Sequence, residues 1–174
     1  MRILRKLGRA DGAEIAEAAL VLPLVFMFLL GIIWFGRAFN IYSTITQAAQ
    51  RGAITAARPT CAVGCGPGSN FPSDIAVNNS VFAVMQASSL DPSQIILPPD
   101  PPAQDCPDPI PNHTCSHTNN IVVCRPVVLN PSSTPVQCGV IVTLQYPFQF
   151  YLPFTSLNMR PIVLTGQAQN RMEN

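Results

Sequence analysis

A chain of 174 residues with a formal net charge of +1 has room for one globular domain beside its N-terminus, and it lacks the basic excess of a nucleic-acid binder. Only 11% of the residues are charged while 48% are hydrophobic, an imbalance unlike that of a free soluble domain. Of the 18 prolines, all but Pro23 lie beyond position 58, so the back of the chain cannot be mainly helical, because each Pro removes a backbone donor and fixes φ.

The front begins with a basic stretch, Arg2, Arg5, Lys6 and Arg9. From Ala18 to Gly36 there are then 19 residues without a charge. About 20 apolar residues at 1.5 Å rise cross a hydrocarbon core, and Trp34 stands where an interfacial aromatic belongs. The basic start places the N-terminus in the cytoplasm by the positive-inside rule, and everything after Arg37 beyond the inner membrane. A cleaved secretory signal has the same opening, but its apolar region is usually about 7–15 residues and ends at a small-residue cleavage site. Here the helix signal continues instead. Arg37 to Arg58 contains no Pro, and Phe35, Phe39, Tyr42, Ile45, Ala49, Gly52 and Ala56 recur at three- and four-residue steps, as on one face of an amphipathic helix. Pro59 ends it. The expectation is one helix over 13–58, about 70 Å long, with its membrane span near 18–36.

Two carboxylates, Glu14 and Glu17, precede the span. An acid there is costly to insert and calls for a partner. Glu14 reads as wetted at the headgroups, whereas Glu17 directly abuts the apolar run.

Behind the helix, Ser73 is a suitable N-cap, and Val77, Val81, Val84 and Met85 form a helical stripe, which predicts a second helix over 73–89 broken by Asp91-Pro92. Residues 98–119, rich in Pro, Asp, Asn, Cys and Thr, are expected to form a loop that is held by Cys106 and Cys115 or is locally mobile. Ile121–Cys124 and Val127–Leu129 read as short strands. Gly139–Phe150 alternates like a half-buried strand, and Ile162–Gln169 adds another. The expected fold is α+β: a long N-terminal transmembrane and amphipathic helix, a second short helix, and a small antiparallel sheet of three or four strands packed on both.

Six cysteines, Cys61, Cys65, Cys106, Cys115, Cys124 and Cys138, all lie in this back part. An even count in a small Pro-rich region fits an oxidising compartment and up to three disulfides, with 15 pairings open. The rival reading is a metal site at His113-Thr114-Cys115-Ser116-His117. It lacks the paired Cys-x2-Cys that closes a tetrahedral zinc site, so disulfides are preferred and no metal or cofactor is expected. No phosphate-binding Gly-rich loop, Gly-x-Ser-x-Gly or His-Glu-x-x-His is present, and no catalytic residue is assigned. Asn78 and Asn112 stand in Asn-x-Ser/Thr triplets, read as chance.

Gly12-Ala13-Glu14-Ile15-Ala16-Glu17 resembles the processing site of type IV pilin-like proteins, in which a short basic leader ends in Gly and a Glu stands five residues past the cut. The wider stretch Gly12–Arg58 resembles the TadE family of the tight-adherence (Tad/Flp) pilus system. The phrases that carry it are Glu17-Ala18-Ala19-Leu20-Val21-Leu22-Pro23-Leu24, Gly31-Ile32-Ile33-Trp34-Phe35-Gly36-Arg37-Ala38 and Gln47-Ala48-Ala49-Gln50-Arg51-Gly52-Ala53. Val140–Phe148 also looks like the family's C-terminal strand. Family members commonly have an aromatic after the Glu, where this chain has Ala18.

The resemblance implies a leader over 1–12 cut between Gly12 and Ala13 by a prepilin peptidase, a helix over 13–58, and an exported domain over 59–174. It implies a single-pass protein of the bacterial inner membrane, with its C-terminal domain periplasmic or extracellular. Its partners would be other pilin and pseudopilin subunits and the pilus assembly machinery, with Glu17 setting the register between helices. The competing expectation is a membrane-tethered periplasmic binding or adhesion domain that does not polymerise. A redox enzyme would need a Cys-x-x-Cys, which is absent.

Overall fold

A computed structural model describes residues 10–58, 71–107, 113–132, 134–149 and 160–172. They form a first helix α1 (Ala10–Ala57), a second helix α2 (Asp74–Ala87), a short 3₁₀ turn at Pro92–Gln94, and four strands, β1 (Thr114–Thr118), β2 (Ile121–Val128), β3 (Cys138–Phe148) and β4 (Ile162–Arg171). The chain divides into two compact units, Met1–Phe39 and Asn40–Asn174.

In the first unit α1 is helical from Ala10 onward, and its only internal proline is Pro23. Every residue from Glu14 to Leu29 is exposed, including Leu20, Met27 and Phe28. A helix that is apolar all round and unburied does not match a water-facing surface.

In the second unit α1 becomes a packing element. Ile41, Thr44, Ile45, Ala48, Ala49, Gly52, Ala53, Ala56 and Ala57 are buried, a stripe at helical steps made mostly of small residues. The predicted face holds from Ile45 onward, but Phe35, Phe39 and Tyr42 are exposed. The buried stripe passes through Ile41 instead, because only the C-terminal third of the helix has a domain to lie against.

The small stripe allows close approach. A Cβ at Gly52 would meet Val81, Val142 and Val77, so α1 crosses both α2 and β3 at that glycine. A Cβ at Gly166 would lie 2.8 Å from the Ile45 carbonyl oxygen, which places β4 against α1. Helix α2 begins where its cap predicts, since the Ser73 side chain accepts from the Ala76 N–H. It buries Val77, Asn78, Val81 and Met85.

The sheet is antiparallel throughout in the order β1-β2-β3-β4. Three expectations are corrected here. Residues 114–118 are not loop but strand β1, joined to β2 through Asn119 and Asn120, both with positive φ (54° and 61°), the backbone of a two-residue hairpin turn. Ile121–Cys124 and Val127–Leu129 are not separate strands but one, β2, irregular between Cys124 and Val127. And β3 is not half-buried, for Val140 to Leu144 are buried without interruption. Val142 faces α1, while Ile141 on the opposite face joins a cluster with Val122, Cys124 and Val127.

That second face is covered by the Pro-rich segment. Ile96 bridges to Gln145 and Asp105 bridges to Val127, so the chain between them crosses the sheet as a strap. Ala103 packs on the cluster, and Pro98, Pro101 and Cys106 are buried. Pro98 and Pro101 are three apart, the repeat of an extended Pro-rich chain, which needs no hydrogen bonds of its own to keep one edge on an apolar surface.

Candidate functional site: the N-terminal helix and its flanks

Helix α1 carries the residues singled out for processing and register. Gly12 and Ala13 fall within its first turn, and Glu14 and Glu17 are both exposed. After Glu17 the helix continues uncharged to Gly36, and Arg37 closes the run. The Arg37 guanidinium lies over the Trp34 indole, 5.8 Å from its centroid. This pairing turns the positive charge and the aromatic face toward each other at the end of the apolar run, as suits a headgroup boundary. Among the described residues α1 is the one helix long and apolar enough to cross a membrane, and it is a candidate membrane span.

The folded domain places the remaining candidates. Cys106 bonds Cys138 and Cys115 bonds Cys124. Cys106 and Cys115 thus both anchor this stretch, each through a partner of its own. Cys106 ties the end of the strap to the start of β3, while Cys115 and Cys124 staple β1 to β2 as directly opposed partners with Cα atoms 4.0 Å apart. Cys61 and Cys65 lie outside the described residues, as do Asp108, Asn112 and the basic residues 2–9.

The His-Thr-Cys-Ser-His run also resolves. Cys115 is in its disulfide, His113 pairs with Asp105 (Nδ1 to Oδ1, 2.6 Å), and His117 pairs with Asp100 (Nε2 to Oδ1, 2.6 Å). Two carboxylates of the strap thus clip onto two imidazoles, one in β1 and one just before it. The His113 backbone N–H also donates to Asp105, and that bond, with the imidazole beside it, holds the Asp105 carboxyl below its ordinary value. Among the described residues no three His, Cys, Asp or Glu side chains gather as a metal-holding group.

Sequence reasoning missed two polar anchors. The Arg125 guanidinium donates to the Pro72 carbonyl at 3.0 Å and pairs with Asp74, fastening β2 to the start of α2. The Asn78 amide donates to the Thr118 carbonyl at 3.0 Å from a fully buried position, so this residue serves packing and is no acceptor for modification in the folded domain. Both partnerships join residues far apart in sequence, which no local pattern announces. The adjacent Asn119-Asn120 before an apolar run was the one legible sign of the hairpin. A shallow groove of about 370 Å³ opens between Ser73, Asp74, Thr114 and Ser116, and the cation on its wall, Arg125, is engaged as described.

Comparison with curated proteins gives no match, and comparison with solved structures gives none. The family model described as "TadE-like protein" matches residues 12–53, the part of α1 that runs from Gly12 through the uncharged stretch and into the buried stripe. Over residues 12–53 the N-terminal helix of this chain is therefore similar to TadE-like proteins.

Proposed function

We propose that the protein is a membrane-anchored, pilin-like structural component of a Tad/Flp pilus or related secretion apparatus, assembling through its N-terminal helix. The observation that carries this reading is a coincidence of extents. The TadE-like segment, 12–53, covers the uncharged and mostly exposed stretch 18–36 bounded by Glu17 and Arg37. At 1.5 Å per residue such a stretch spans about 30 Å, the thickness of a hydrocarbon core.

On this reading residues 1–12 are a leader removed between Gly12 and Ala13 by a prepilin peptidase. Residues 13–58 form the assembling helix and 59–174 the exported domain. The protein is single-pass in the bacterial inner membrane, N-terminus cytoplasmic, domain beyond the membrane. The cut frees the amine of Ala13, a cation at the membrane surface. The Glu17 carboxylate of a neighbouring subunit neutralises it and so sets the axial register between packed helices. Such a pair favours one register because leaving either charge alone in a low dielectric is strongly unfavourable. The folded domain, with no assigned chemistry, is what the helix displays.

The test is Glu17→Ala beside Glu14→Ala, scored by surface piliation and by co-purification with the pilus components. Membrane insertion should be unchanged in both, since each substitution makes the helix more apolar. Glu17→Ala should lower assembly roughly tenfold or more, since breaking a desolvated charge pair costs about 3–5 kcal/mol. Glu14→Ala should stay near wild type. Undiminished assembly in Glu17→Ala removes the register role, and absence of the chain from any pilus complex favours the tethered domain that does not polymerise.

A further inference from the structure

Four of the domain's exposed large apolar side chains collect at one end of its sheet. Ile162 and Val163, 48% and 45% exposed, open β4 opposite Phe148 and Pro147 of β3. Ile96 and Leu97, 40% and 49% exposed, lie on the other side of β3, where the Ile96 N–H donates to the Gln145 carbonyl. The end of β3 is thus flanked on both sides by greasy surface, although Tyr146 and Phe148 between are buried.

The direction of α1 identifies this end. Gly166 of β4 abuts Ile45, while Gly52 abuts Val142 of β3, whose partner on β4 is Ala168. Going back along the helix from Gly52 to Ile45 is therefore going back along β4 from Ala168 to Gly166, and on toward Ile162. The apolar rim lies toward the Asn40 end of α1, and Asn40 follows closely on Arg37, where the uncharged run ends. Within the domain, Asn40 to Ile45 is a rise of about 7.5 Å along the helix, and Gly166 to Ile162 is at most about 14 Å along the strand, so the strand reaches as far as the Asn40 end of the helix.

We infer that this rim, carried by Ile96, Leu97, Ile162 and Val163, rests in the interface of the membrane that α1 crosses, with a lipid surface as its partner. The inference depends on the membrane-anchored reading given above. The rim's charge suits it. Arg160, exposed just before Ile162, supplies a cation for lipid phosphates. The carboxylates flanking Ile96 and Leu97 in sequence are engaged elsewhere, Asp91 by the Ser93 N–H at 2.9 Å and Asp100 by His117. Contact on both sides of β3 holds the exported domain down on the bilayer, so that its opposite end, near Val136 and Cys138, is the end presented outward.

The single tryptophan makes the test direct. Full-length protein is reconstituted into vesicles of brominated phosphatidylcholine and phosphatidylglycerol, whose bromines quench nearby indoles. Wild-type Trp34 reports the span. In a Trp34→Phe background, Val163→Trp and Leu97→Trp report the two sides of the rim, and Val136→Trp, equally exposed at the far end of β3, is the control. About a twofold loss of emission is expected at 163 and at 97, as for side chains lying roughly 5–10 Å into the headgroup boundary, with almost none at 136. If Trp34 is quenched while 163 and 97 behave like 136, the rim does not touch lipid and the anchor still stands. If Trp34 is unquenched as well, the membrane reading fails and takes this inference with it.

Discussion

Gly166 and Asp105 show how single residues hold the folded domain together. At Gly166 an added methyl would sit 2.8–2.9 Å from the Ile45 carbonyl group, backbone that cannot swing aside. Gly166→Ala should therefore cost about 1–3 kcal/mol, read as a lower urea midpoint with unchanged slope. Asp105 is exposed, and its carboxyl is held low chiefly by the His113 N–H, so its contribution has a defined sign with pH. The bond it makes is complete above the ordinary value of 3.8 and is lost as pH falls through the lower folded value. Protection of the His113 amide, its exchange measured against the intrinsic rate at each pH, should fall on acidification through that window, and in Asp105→Asn this acid-dependent loss of protection should vanish. Neither residue was legible in the sequence as an anchor, and the same holds for Arg125 and Asn78. Each acts through a partner that only the fold brings near, Pro72 and Asp74 for Arg125, Thr118 for Asn78.

Among the elements, those with a local period were readable and those made by tertiary contact were not. Helix α1 declares itself by an unbroken apolar run and then by small residues at helical steps, and α2 by its Ser73 cap and Val77-Val81-Met85 stripe. Strand β1 has almost no β signature of its own. Thr114-Cys115-Ser116-His117-Thr118 is polar, and it is a strand because the Asn119-Asn120 turn folds it back onto β2 and Cys115 is bonded to Cys124. Strand β3 read as half-buried because its pattern cannot reveal that a Pro-rich strap covers its second face. The two disulfides fasten these less self-sufficient pieces, and they should do so unequally. Cys106–Cys138 closes 32 residues of chain and Cys115–Cys124 closes 9, so in the chain-entropy account the first contributes about 3.7 kcal/mol and the second about 2.6. Chemical denaturation of the Cys106→Ala/Cys138→Ala and Cys115→Ala/Cys124→Ala pairs should rank them in that order. The reverse order would mean that the hairpin staple, not the strap, secures the domain.

At the scale of the whole molecule, the chain joins a helix similar to TadE-like proteins to an α+β domain that holds two disulfides among the described residues. The helix carries the candidate membrane span, the proposed cleavage site and the proposed intersubunit contact, and among the described residues the domain gathers no three His, Cys, Asp or Glu side chains that could hold a metal. Composition already separated the two halves, because prolines and cysteines fall almost wholly behind the helix. The domain's packing onto the last turns of that helix was legible only from Ile45 onward, where the apolar stripe and the buried face coincide. The central claim, that this is a pilin-like subunit and not a tethered domain, is tested most directly by the mass of the mature N-terminal peptide. The measurement is made on protein purified from a host that has its prepilin peptidase. The account predicts a chain beginning at Ala13, and an uncut chain when Gly12 is replaced by a bulky residue. A chain that still begins at Met1, or one cut beyond Gly36, would contradict it.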